Sequence, residues 1–69
     1  MLAEFLKAIK DNSQVYFVLG STIISGDIVK VDYENEFVQL KSAMFQGGLS
    51  VPIFVIPFSS VLAWGVRPR

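Results

Sequence analysis

The chain has 69 residues, enough for one domain and no second, and 52% of them are hydrophobic. Six basic residues balance six acidic ones, and histidine and cysteine are absent. That excludes disulfide scaffolds and thiolate metal sites, and it leaves out the basic excess by which nucleic-acid binders usually hold phosphate.

A monomer of this size removes only about 60% of its unfolded surface from water. The apolar content exceeds what so small a core can hide, so the surplus is expected in a partner subunit or a bilayer. Leu2, Phe5, Leu6 and Ile9 fall at the spacing that makes one apolar stripe on a helix, which predicts a helix over about 2–11. Glu4 near its start and Lys7 and Lys10 toward its end suit the helix dipole, and Asp11-Asn12-Ser13 ends it in a turn. The same three charges interrupt any signal-peptide core, and a cytoplasmic location is the expectation.

From Val15 the pattern becomes β. Alternation predicts strands over about 15–19, 23–32, 37–41, 51–58 and 61–66. Gly20-Ser21 and the polar stretch Tyr33-Glu34-Asn35-Glu36 turn the chain. Ser42–Ser50 reads as a loop with Gly47-Gly48 near its tip, Ser59-Ser60 as a tight turn, and Arg67-Pro68-Arg69 as a frayed tail. Gly26 inside strand two marks a bend or a close backbone approach, which would let Ile24 and Ile28 on one side, and Val29 and Val31 on the other, reach apolar surroundings. The fourth strand is apolar on both faces and bracketed by Pro52 and Pro57, and such a strand at a sheet edge aggregates unless another chain covers it.

Lys41 to Arg67 contains no charge between its ends, long enough as a helix to span ~30 Å of hydrocarbon. Gly47-Gly48, the two prolines and the β-branched residues Val51, Ile53, Val55, Ile56 and Val61 argue instead for strands, so no membrane partner is expected.

A helix followed by five strands, with a bent second strand and a tight turn between the last two, resembles the Sm-like family, which includes bacterial Hfq. Three segments carry the resemblance: Gly26-Asp27-Ile28-Val29-Lys30-Val31-Asp32 along strand two, Phe37-Val38-Gln39-Leu40 in strand three, and Ile56-Pro57-Phe58-Ser59-Ser60-Val61, which is similar to the Hfq-like form of the second signature. It implies a mainly β fold, an N-terminal helix before a strongly bent, five-stranded antiparallel SH3-like barrel. It also implies a ring of about five to seven copies binding single-stranded RNA, with Asp32, Tyr33, Asn35, Phe37 and Ser59 at the RNA sites. Subunits of the family join edge to edge through strands four and five, which points to Phe54, Val55, Ile56, Phe58, Val61, Leu62 and Trp64 as the interface. Pro57-Phe58 replaces the Arg-Gly pair of eukaryotic and archaeal members, Phe54-Val55-Ile56 the Tyr-Lys-His run of Hfq, and Glu36 an asparagine of the first signature. The pattern is similar to a divergent, phage-type member, and these replacements favour the alternative of a ring that serves as a protein-interaction scaffold without RNA.

Several of these residues also have plainer readings. Asp32 suits a strand-end cap, Asn35 a turn and Phe37 the core, while Tyr33 is the better exposed stacking candidate. Ser59 and Ser60 lack the base that a serine nucleophile needs, so no enzyme is expected, and no cofactor. Asp27, Asp32, Glu34 and Glu36 suggest Mg²⁺ or, beside Lys30 and Lys41, a solvated charged edge, which is the reading preferred, with no metal. Met44-Phe45 either grips a ligand or plugs a barrel end.

Overall fold

The computed structural model describes residues 2–9 and 14–67. The expectations for Lys10, the Asp11–Ser13 stop and the Pro68-Arg69 tail lie outside them. Helix α1 (Leu2–Ala8) precedes β1 (Gln14–Leu19), β2 (Thr22–Asp32), β3 (Phe37–Phe45), β4 (Ser50–Pro57), a 3-10 turn (Phe58–Ser60) and β5 (Ala63–Arg67). All neighbours pair antiparallel in one sheet ordered β4-β3-β2-β1-β5. The sheet is open. β4 and β5 are its two edges and do not pair, so the closed barrel expected from the sequence is corrected to a bent sheet with a seam.

The core explains the element pattern. Val15 and Phe17 of β1, Ile24 of β2, Val38, Leu40 and Ala43 of β3 and Ile56 of β4 are buried under Leu2 and Leu6 of α1, with Phe5 and Ile9 packed against them. A helix this short does not persist alone in water; its apolar stripe is what holds it on the sheet.

Two β-bulges bend β2 against β3. Between the pairs Ser25↔Met44 and Asp27↔Lys41 the extra residue is on β3, where Ser42 has a φ of 51°. Between Ile28↔Leu40 and Lys30↔Gln39 it is on β2, at Val29. An extra residue flips the side-chain alternation and sharpens the local bend. Hence β3 does not stop at Lys41 as expected: it continues to Phe45, changing its buried parity from Val38 and Leu40 to Ala43, and the expected loop shrinks to a turn at 46–49. The same effect leaves Val29 exposed, against expectation, while Val31 packs on the core. Strand five begins at Ala63 rather than Val61, because Phe58–Ser60 forms a 3-10 turn and Leu62 N–H donates to Val18 C=O at 2.8 Å.

Gly26 sits where the bend brings β2 closest to β3. A Cβ placed there would lie 3.1 Å from the Lys41 carbonyl oxygen, 3.2 Å from Leu40 Cβ and 3.3 Å from Ala43 Cα. Two of those neighbours are backbone, which yields poorly. Gly26→Ala is therefore expected to cost about 1–3 kcal/mol of stability, whereas Gly65→Ala, with open space around it, stays within about 0.5 kcal/mol. Urea denaturation of both variants checks this, and equal midpoints would refute the close-approach account.

Candidate functional site

The polar turn between β2 and β3 is built around Asp32. Its Oδ1 accepts the Asn35 backbone N–H at 2.9 Å and its Oδ2 accepts Asn35 Nδ2–H at 3.0 Å, an Asx-type arrangement that closes the turn locally. Asp32 thus orients the turn, and Asn35 is consumed in doing so. Glu36 ends the turn with a φ of 60°, and its carbonyl accepts the Phe58 N–H at 2.8 Å. That bond ties the turn to the 3-10 segment after β4, far along the chain.

Between these loops and α1 lies a cleft of about 590 Å³ lined by Leu2, Ala3, Lys7, Tyr33, Glu36, Phe58, Ser59 and Trp64. Tyr33 meets Phe58 edge-on at 6.3 Å, Trp64 leans on Phe5 at 6.0 Å, and Lys7 Nζ stands 4.9 Å from the centre of the Tyr33 ring. The cleft therefore offers aromatic surface, one cation, one carboxylate and one hydroxyl. Such a set can stack a flat apolar face and hydrogen-bond its edge.

Of the RNA candidates read from the sequence, Tyr33 and Ser59 come together in this cleft, and Asp32 and Asn35 shape the turn beside it. Phe37 is not among its lining residues; it is half-buried at the start of β3 with Lys30 Nζ 5.7 Å from its ring centre. The sequence reading missed Lys7 and Glu36 as cleft residues and placed Trp64 only at the edge strand. Ala3 and Lys7, four apart, share a helix face beside the apolar stripe, which was the available signal for Lys7. Among the described residues, no three carboxylates gather as a metal site.

The two sheet edges form the second candidate surface. Phe58 and Glu36 continue the β3–β4 register, so their hydrogen bond sets the ladder's alternation. Phe54 and Ile56 turn their backbone groups to β3, and Val51, Ile53 and Val55 turn theirs outward. Pro52 lacks its N–H on the β3 side, opposite Ser42, so it does not blunt the outer edge over Val51–Val55. Ile53 and Val55 are each 51% exposed and Leu62 is 67% exposed, whereas Ile56 is 1% exposed. The Ile56 side chain belongs to the chain's own core and its backbone groups face β3, so Ile56 offers an interface neither. Phe54 is half-buried against Phe45 at 5.0 Å, Val61 packs on the core, and Phe58 and Trp64 face the cleft.

No protein-family model matches this chain, and no curated protein or solved structure gives a significant match. Among the described residues, no helix is long and apolar enough to cross a membrane.

The Asn35 backbone and side-chain hydrogen bonds hold the Asp32 carboxyl below its ordinary 3.8. A lowered folded-state value means the unfolded chain binds the proton more readily, so this contribution is complete above the ordinary value and lost as pH falls through the lowered one. Stability measured from neutral pH down to about pH 2 should fall more steeply in the wild type than in Asp32→Asn, below about pH 4. Parallel curves would remove Asp32 from the account of the turn.

Proposed function

We propose that this chain is an Sm-like subunit that joins copies of itself into a ring, β4 of one to β5 of the next, and binds single-stranded RNA in the cleft beside the helix. The observation that carries the reading is the open sheet. Each terminal strand pairs on one side only, and Ile53, Val55, Trp64 and Val66 lie exposed on the two strands. A long apolar edge left in water is an aggregation site, and a closed ring removes every edge at once. In such a ring the donors of Val51, Ile53 and Val55 meet a neighbour's strand while Leu62 covers apolar surface.

The RNA part rests on the cleft. Stacking a base on an exposed aromatic contributes ~1–3 kcal/mol; an exposed cation–π contact such as Lys7 on Tyr33 contributes ~0.5–1 kcal/mol. A base can therefore displace the ammonium, which is then free to pair with phosphate. Weak sites repeated around a ring act together. Equal numbers of acidic and basic residues, with Glu34 and Glu36 in the turn, support the second reading, a ring that holds proteins rather than RNA.

Light scattering on the purified protein should give a mass of several subunits, and Val55→Lys or Leu62→Glu should reduce it to one. Both positions are exposed in the single chain, so neither change disturbs its core. A monomeric wild type, or variants that keep the wild-type mass, would refute edge pairing. In fluorescence anisotropy with short single-stranded oligonucleotides, Tyr33→Ala should weaken binding about tenfold with the assembly intact. An assembled wild type that binds no oligonucleotide leaves the scaffold reading.

A further inference from the structure

We infer that the cleft selects guanine, and that Glu36 is the residue that reads it; this rests on the RNA reading of the same cleft. The first observation is conformational. Glu36 has a φ of 60°, in the left-handed region where glycine and asparagine sit at least cost and a long side chain does not. Its carbonyl is held by the Phe58 N–H at 2.8 Å, so the surrounding fold enforces this conformation. A strained residue kept where glycine would be easier points to work done by its side chain, and Glu36 is one of the residues that line the cleft.

The second observation is chemical. An ionised carboxylate only accepts hydrogen bonds, through two oxygens in one plane. Single-stranded bases are read on their Watson–Crick edges. Guanine presents two adjacent donors there, N1–H and the 2-amino group, and these match the two oxygens. Adenine and cytosine set one amino donor beside a ring nitrogen acceptor, which faces the carboxylate with like charge. Uracil sets one N–H between two carbonyls. Only guanine meets the carboxylate without an opposed acceptor. Tyr33, Phe58 and Trp64 supply the stacking surface, Lys7 a phosphate partner, and about 590 Å³ is room for a purine.

The test uses fluorescence anisotropy with four labelled RNA hexamers: uridine only, uridine with adenosines, uridine with isolated guanosines, and the last with inosine in place of each guanosine. Inosine lacks only the 2-amino group. The guanosine hexamer should bind about tenfold tighter than the inosine one, and Glu36→Gln should abolish that difference. Glu36→Gly should abolish it too while raising Tm by a few degrees, since the backbone strain is relieved. Equal affinity for all four hexamers, or a guanosine preference that survives in Glu36→Gln, overturns the assignment and leaves RNA binding standing. Failure of every hexamer to bind overturns the RNA reading itself.

Discussion

The hydrogen bond from the Phe58 N–H to the Glu36 carbonyl organises both candidate surfaces. Phe58 opens the 3-10 segment and makes the last bond of the β3–β4 ladder, to the turn that precedes β3. The bond fastens two loops distant in sequence into one wall, with Tyr33 and Glu36 on one side and Phe58 and Ser59 on the other. It also fixes which backbone groups of β4 look inward and which look out. Site and edge are thus consequences of one register.

The bend sets the rest. Bulges at Ser42 and Val29, with the close approach at Gly26, curl β2 and β3 enough for a seven-residue helix to cover the core. The curl stops short of closure. Between β4, the end of β1 and the segment that precedes β5 remains a largely apolar cleft of about 510 Å³, whose lining includes Leu19, Phe54, Val55, Pro57 and Leu62. Apolar surface left in water forgoes roughly 25 cal/mol per Å², which a small core can ill spare. In the proposed ring a second copy's edge strand would supply both the missing backbone partners and the missing cover, and so address the surplus of apolar residues that the composition already exposes.

Local pattern was legible in the sequence; closure and convergence were not. The helix stripe, the five strands and the tight packing at Gly26 each follow from spacing within a few residues. The continuation of β3 to Phe45 was hidden because Ser42-Ala43 breaks the alternation, and only the bulge restores it. Val29 looked like a strand residue with an apolar setting, yet the extra residue in its register turns it outward. Ile56 looked like an edge residue, but its backbone groups face β3 and its side chain lies in the core. Lys7 and Trp64 reach the cleft from opposite ends of the chain, and no local pattern encodes that meeting.

Electrostatics then constrain what the cleft can hold. Of the described cations, Lys7 lines the cleft, while Lys30 lies over Phe37, Arg67 Nη1 donates to the Tyr16 hydroxyl at 3.4 Å, and Lys41 stands on β3 opposite Asp27. Each phosphate neutralised on a single strand contributes about −0.7 to the slope of log affinity against log salt. One such contact per subunit gives a shallow dependence, unlike that of a basic groove. In the proposed assembly affinity must therefore come from ring faces and base edges, repeated from subunit to subunit. A neutral chain suits that mode, because discrimination then lies in stacking and in the carboxylate of Glu36 rather than in a phosphate attraction common to every sequence.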